Sequence, residues 1–233
     1  MYEVSWRTLD GHTSCAAAVS AAVVDAASEA IRLRGRAVVA LSGGSTPRPM
    51  LSRLAEAQLD WTRVIVTLVD ERWCDHEDDS SNFKMVSALL GPAVAAGATL
   101  RPLWRSECTP QEAAEAASRE LRGVSPLDLV VLGMGTDAHT ASWIPGAEGL
   151  EAALADVGPE VCALSPTDGR HLRLTITRPV VAAARRRILH ITGSEKRDVL
   201  EASLAGAGDW TRVPVRAALS CGAVTVYHGE DSP

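Results

Sequence analysis

The sequence predicts an α/β fold with a mostly parallel sheet and helices on both faces, taken as one domain over residues 1–233. Two observations predict it. Short apolar runs rich in Val, Leu and Ile alternate with Ala-rich stretches whose apolar residues recur at helical spacing, the pattern of strands joined by crossover helices. Three of the runs then open at their carboxyl ends into polar segments, the place where an open parallel sheet collects its ligand site. Together they describe a Rossmann-like arrangement.

Residues 13–34 repeat Ala, Val and Ile at helical spacing and predict a long helix. AVVAL at 37–41 is apolar on every residue and reads as a short buried strand. It ends in SGGSTP, and a helix is predicted over 47–57 with Thr46 as N-cap and Pro47 at the first helical position, where the missing N–H is one the helix leaves unpaired anyway. VIVTLV at 64–69 is the next strand and runs into DERW; the acidic stretch 75–82 then reads as a surface loop, and 83–90 as a helix. A helix over 110–121 is capped by Thr109 with Pro110 at its first position. LDLVVLG at 127–133 is the third strong strand and leads into the turn GMGTDAH. Residues 171–176 and 187–192 read as strands, 194–204 as a helix after Gly193, and 223–227 as the last strand. Segment 145–159, with several glycines, fits a loop or a short helix. No repeat, low-complexity linker or composition shift marks a boundary.

Composition narrows the function. At 46% hydrophobic, 22% charged and mean hydropathy +0.05 the chain is too apolar to be disordered. No uninterrupted apolar run reaches the roughly 18 residues of a membrane helix, and the opening MYEVSWRTLDGH lacks the basic head and apolar run of a signal peptide. The five cysteines, 15, 74, 108, 162 and 221, are scattered without CxxC spacing, which argues against a disulfide framework or a structural zinc and predicts the cytoplasm. A net charge of −6 speaks against nucleic acid or a membrane surface as partner. Of 23 basic residues only Lys84 and Lys196 are lysine.

The polar strand ends carry the chemistry. In SGGSTP, Gly43 and Gly44 let a ligand approach the backbone, and the N–H groups with the Ser45 hydroxyl can cradle phosphate or sugar oxygens; a plain strand-to-helix turn gives the same letters. In DERW, Arg72 can grip a phosphate through two parallel hydrogen bonds, or serve as a surface ion pair among acidic neighbours. His76 in the acidic run that follows has no rigid spacing that would make a metal site. In GMGTDAH, Asp137 and His139 stand two apart; a histidine suits general-base work near neutrality and a carboxylate can hold its ring. The other reading is a histidine that satisfies backbone groups in a turn. Lys196 falls in the first turn of its helix, against the helix dipole, which suits an anionic ligand as well as an exposed lysine. His12, His171, His190 and His228 have no comparable setting and read as structural or surface residues, and Arg185–Arg187 as a solvated helix end.

At these residues the chain resembles the 6-phosphogluconolactonase family of the wider glucosamine-6-phosphate isomerase/deaminase superfamily. VALSGGSTPRPM, VTLVDERW with SSNF, LDLVVLGMGTDAHTASWIPG, HLRLTITRPV and ITGSEKRDVL occur in the family's order across about residues 37–204. The resemblance implies hydrolysis of 6-phospho-D-glucono-1,5-lactone to 6-phosphogluconate, without metal or organic cofactor, by a monomer or homodimer. It implies His139 as the general base, Asp137 as its orienting acid, Arg72 and Lys196 as phosphate cations, Gly43, Gly44 and Ser45 as pocket lining, and Arg173 as a further polar contact. Two departures stand out. The family usually has Asp-Gly-His where this chain has Asp137-Ala138-His139, and an alanine costs about 1 kcal/mol wherever the turn requires positive φ. The Asn-Glu-Pro segment of the deaminase branch is replaced by Trp143-Ile144-Pro145, which removes the glutamate that opens a sugar ring. The alternatives are therefore an amino-sugar-phosphate isomerase or deaminase, and a sugar-phosphate sensor without turnover.

Overall fold

Seven parallel strands form the main sheet of the computed structural model, which describes residues 2–231. Met1, Ser232 and Pro233, the ends of the predicted 1–233 domain, lie outside the described residues. The chain begins with β1 (Val4–Leu9), α1 (Gly11–Arg34), β2 (Ala37–Leu41) and α2 (Arg48–Ala55). A 3-10 turn at Trp61–Arg63 leads into β3 (Val64–Leu68), followed by β4 (Asp70–Arg72), α3 (Asn82–Leu89), α4 (Gly91–Ala95) and β5 (Thr99–Arg101). Then come α5 (Pro110–Arg122), β6 (Leu129–Leu132), α6 (Leu150–Leu154), β7 (Val161–Leu164) and β8 (Arg173–Ile176). The last elements are α7 (Arg178–Ala183), β9 (Arg187–Thr192), α8 (Ser194–Ala205), α9 (Val215–Leu219) and β10 (Val224–Gly229).

The sheet order is β1-β10-β9-β6-β2-β3-β5, and every neighbouring pair in it is parallel. Helices flank it, as the alternating pattern predicts. From β2 the chain steps outward to β3 and β5, then returns to place β6 on the other side of β2. The order reverses between β2 and β6, so the loops leaving these two strands part and open a crevice at their carboxyl ends. SGGSTP follows the first of them and GMGTDAH the second.

The central strands are apolar on both faces because both are covered; β2, with burial on all five residues, shows it plainly. Helix α1 buries Cys15, Ala16, Val19, Val23, Ala26, Ala27 and Ala30, a helical stripe made of small residues so that the helix can lie close to the strands. By length and composition α1 is apolar enough to cross a membrane, although Ser, Asp and Glu interrupt its apolar residues. Its apolar stripe is spent on the sheet.

A second, antiparallel sheet, β4-β8-β7, was not expected from the sequence. DERW reads as the tail of a strand, but the chain changes sheets at Val69, whose N–H donates to Leu41 O and whose carbonyl accepts from Ile176 N. Three residues as polar as Asp-Glu-Arg carry no strand signature of their own, so only the partner strand reveals β4. The short β5, Thr-Leu-Arg, and β7, Val-Cys-Ala-Leu, also go beyond the sequence reading, because three and four residues are too few to show a strand period. The helix predicted over 47–57 is shorter, and its cap differs: Pro47, at φ −79 and ψ −9, takes the N-cap position without a side-chain cap. Helix α5 has the expected start, a capping box between Thr109 and Glu112.

Glu71 holds this region together. Fully buried, its carboxylate accepts from the N–H groups of Arg72, Asn82 and Phe83 at 2.7–2.8 Å and from the Ser81 hydroxyl at 3.1 Å. Burial pushes its pKa upward, against the pull of those donors. Four donors aimed at two oxygens leave no place for an amide NH₂. Glu71→Gln is therefore expected to lower the unfolding free energy by about 2–4 kcal/mol, measured by urea denaturation at neutral pH; an unchanged midpoint would mean the amide finds other partners.

Candidate active site

The end of β2 is built for close approach. Ser42 donates its hydroxyl to Val131 O at 2.8 Å, which ties the tips of β2 and β6 together. Gly43 is glycine because a Cβ there would stand 2.0 Å from Asn82 Oδ1; that amide in turn donates to the Asp70 carbonyl at 3.0 Å. Gly44 has φ +94, a conformation free of strain only for glycine. Thr46, the expected cap of α2, faces elsewhere: its hydroxyl accepts from Lys196 Nζ at 3.5 Å.

The turn after β6 carries the acid–base pair. Thr140 Oγ1 donates to Gly133 O at 2.7 Å, and Gly135 exchanges backbone bonds with His139 and Ala138. The side chain of Asp137 lies back over the turn: Oδ1 accepts from the His139 N–H at 3.2 Å and from ring Nδ1. Gly135 makes room for both groups, since a Cβ there would come within 2.3 Å of the imidazole and 2.6 Å of the carboxylate. The hydrogen bond from His139 pulls the Asp137 pKa down to about 2. An ionised carboxylate can only accept, so Nδ1 carries the proton and Nε2 of the neutral ring keeps its lone pair.

Ala138 does sit in the left-handed region, at φ 61, as the departure from Asp-Gly-His predicts. Its methyl group is buried, 6% exposed, and its carbonyl accepts from Val215 N at 3.0 Å. The methyl gains about 0.8 kcal/mol by burial, which offsets a backbone cost of about 1 kcal/mol. Ala138→Gly is thus expected to change stability by less than about 1 kcal/mol and to leave turnover as it is, checked by thermal unfolding and the lactone assay side by side.

Both strand ends open on a cavity of about 200 Å³, lined by Gly44, Ser45, Thr46, Asp70, His139 and Lys196 among others. Lys196 is half buried, and burial pushes its pKa down. Asp70 is fixed by the Ser142 hydroxyl, which donates to Oδ2 at 2.6 Å. A larger cavity of about 500 Å³, walled by α5 and β7, contains none of the predicted site residues.

Arg72 and Arg173 do not line the 200 Å³ cavity. They face each other across the β4–β8 pair, two residues along β4 from Asp70, and so on the same face of that ribbon. Arg72 donates from Nη1 to Ser80 O at 2.6 Å. The Nε atoms of both arginines are buried with no hydrogen-bond partner among the described residues. Arg173 is only 8% exposed, and burial pushes its pKa down. Like charges directly opposite are destabilising, and a buried cation left partly unpaired is more so. Such a pair is understandable where an anion comes to meet it.

Of the predicted residues, the cavity gathers Gly44, Ser45, His139 and Lys196, with Asp137 directly behind His139. Arg72 and Arg173 flank it, and Gly43 serves packing. Sequence reasoning missed Asp70 and Gly135 as site residues. Asp70 was in view as the first letter of DERW, but its direction depends on the sheet change at Val69. His76 packs its ring against Phe83 and Trp104, 4.4 and 4.9 Å between centroids, so it is an aromatic packing residue within the acidic segment. The buried His190 is pushed down to about 4 by burial and stays neutral.

Residues 10–227 match the family described as glucosamine-6-phosphate isomerases/6-phosphogluconolactonase. The 6-phosphogluconolactonase of Rhizobium meliloti (strain 1021) is 43% identical over 192 residues, 82% of each chain. That of Pseudomonas putida is 41% identical, over 82% of this chain and 78% of its own. Among solved structures, a 6-phosphogluconolactonase from Shewanella baltica OS155 superposes with a TM-score of 0.92 at 32% identity, covering 98% of both chains.

Proposed function

Since the chain belongs to the family of glucosamine-6-phosphate isomerases and 6-phosphogluconolactonases, we propose how its cavity performs lactone hydrolysis. The protein is an enzyme that hydrolyses 6-phospho-D-glucono-1,5-lactone to 6-phosphogluconate, a step of the pentose phosphate pathway. The observation that carries the mechanism is the Asp137–His139 pair opening on the cavity that also holds Lys196.

A lactone carbonyl is electrophilic enough for water once a base removes the proton. Asp137 holds Nδ1–H of His139, so Nε2 takes that proton as the water oxygen bonds to C1, and Asp137 stabilises the imidazolium. The tetrahedral intermediate collapses by breaking the bond between C1 and the ring oxygen. The imidazolium then returns its proton to that oxygen, which leaves as the C5 hydroxyl, and the neutral base is restored. The phosphate supplies binding energy away from the reacting carbon: Lys196, the Ser45 hydroxyl and the N–H groups after β2 meet it on the cavity side, and Arg72 and Arg173 supply the remaining positive charge. Every role is filled by a side chain or a backbone N–H, so the reading calls for no metal or organic cofactor. It takes residues 1–233 as one domain working in the cytoplasm, in keeping with five unpaired cysteines.

The deaminase alternative lacks its carboxylate. Where that branch has glutamate, Trp143 and Ile144 are buried, and the indole donates to Ile176 O at 2.9 Å. The sensor alternative rests on a damaged turn, whereas the Asp137–His139 contact is in place. The deciding assay generates the lactone in place with glucose-6-phosphate dehydrogenase and follows its loss against the enzyme-free rate. Hydrolysis well above that background is expected; a rate equal to background with 6-phosphogluconate still bound would replace the mechanism by the sensor.

A further inference from the structure

The loop between β7 and β8, residues 165–172, brings a second cation to the acid–base pair. Arg170 lies on it, outside every motif that marks the site in the sequence. Its guanidinium is locked onto Asp168 of the same loop, Nη2 and Nε standing 2.6 and 2.7 Å from Oδ2, and its own N–H donates to Asp168 Oδ1 at 3.2 Å. Nη2 also stands 3.7 Å from Oδ2 of Asp137, the oxygen that His139 does not use. Asp168, Arg170, Asp137 and His139 thus form one continuous chain of charge, from a surface loop to the ring that faces the cavity.

We propose that Arg170 is a positioning residue for the hydrolysis, one that fixes the Asp137 carboxylate and through it the imidazole of His139. The inference rests on the reading of His139 as the base. Stability is not its purpose: the three side chains are 36%, 50% and 43% exposed for Arg170, Asp168 and Asp137, and exposed ion pairs contribute little. Orientation is different. A carboxylate held through one oxygen alone can still swing about its Cβ–Cγ bond, and a cation on the second oxygen opposes that swing. Groups behind a catalytic or metal-bound histidine act in this way. Because Arg170 is anchored to Asp168, the position of the loop becomes part of the geometry of the base.

The same contact sets the charge around the ring. Asp137 is countered by Arg170 from the loop, with Asp168 beside it; Asp70 from β4 and Lys196 from α8 face His139 across the cavity, and Arg72 and Arg173 stand further along the ribbon. Taking away the Arg170 charge leaves a more negative field at the imidazole, so the base is protonated at higher pH and the acid limb of kcat/KM moves up.

The test compares Arg170→Met and Arg170→Lys with the unaltered enzyme between about pH 5 and 8, where histidine titrates. For Arg170→Met we expect kcat to fall about three- to tenfold with KM little changed, and the acid limb to rise by roughly half a pH unit. Arg170→Lys keeps the charge and restores most of the limb, while its single point charge recovers less of kcat. Unchanged kcat and limb in Arg170→Met overturn the proposal. So does a rise in KM alone, which would make Arg170 a substrate contact. His139→Ala, run in parallel, separates the two layers: if it keeps the full rate the reading of the base fails, and if it is inactive while Arg170→Met behaves like the unaltered enzyme, only this inference fails.

Discussion

His139→Ala lowers kcat for lactone hydrolysis by about 10²–10⁴-fold, the range a positioned general base contributes. The variant loses the imidazole on the cavity, whose Nδ1 is held by Asp137 so that Nε2 keeps its lone pair. Binding should survive, because the phosphate cations are untouched; 6-phosphogluconate titrated into the variant is expected to bind with nearly unaltered affinity. Folding should survive as well. The His139 side chain is 31% exposed, and the turn is held by backbone bonds through Gly135 and by Thr140 on Gly133. The measurement is the coupled lactone assay corrected for spontaneous opening, with circular dichroism on the same sample. A variant that keeps the full catalysed rate removes His139 from the mechanism and moves attention to Asp70, a carboxylate on the cavity with no cationic partner at ion-pair distance among the described residues.

Arg173→Met is expected to do two opposite things at once. Arg173 is nearly buried, faces Arg72 across the β4–β8 pair and has an unpartnered Nε. Methionine fills a similar length without charge, so the substitution relieves desolvation and like-charge repulsion. Replacing a poorly compensated buried charge by an apolar side chain of similar volume stabilises proteins by about 1–4 kcal/mol, which for a chain of this size raises the melting temperature by roughly 3–12 °C. Function goes the other way. Loss of a charge-assisted contact to phosphate costs about 1.5–3 kcal/mol of binding, seen as a kcat/KM lower by about ten- to a hundredfold. Differential scanning calorimetry and steady-state kinetics on one preparation read both. A variant that melts lower with an unchanged KM would show Arg173 to be a structural residue, and Arg72 with Lys196 would then carry the phosphate alone.

The expected gain in stability shows why this arginine was hard to weigh from sequence. In HLRLTIT it is one of the polar letters alternating with Leu172, Leu174 and Ile176, no different from the exposed half of an edge strand. Burial and the opposition to Arg72 appear only when β4 and β8 pair, and that pairing joins residues about a hundred positions apart. Thr46 shows the same dependence: the letters before Pro47 make an N-cap by every local rule, yet the hydroxyl is drawn to Lys196, which the fold brings to it from α8. Gly135 carried no signal beyond lying in a glycine-rich turn; its need is steric, set by the imidazole and carboxylate folded back above it.

What the sequence determined by itself was everything that short range decides. Apolar runs of strand length between helical stripes imply a parallel sheet, because parallel strands need crossovers and both faces must be covered. The three polar strand ends imply a site at one edge of that sheet, and the spacing of Asp137 and His139 brings a carboxylate and an imidazole together within a single turn; the positive φ of Ala138 follows from the resemblance to a family that usually has glycine there. The tertiary structure decided what joins distant segments: the sheet change at Val69 that turns Asp70 toward the cavity, the opposition of Arg72 and Arg173, and the reach of Arg170 to Asp137. The division has a physical cause. Backbone conformation follows from steric and hydrophobic forces between neighbours in the chain, whereas the field in a cavity is a sum over charges that only the fold places side by side.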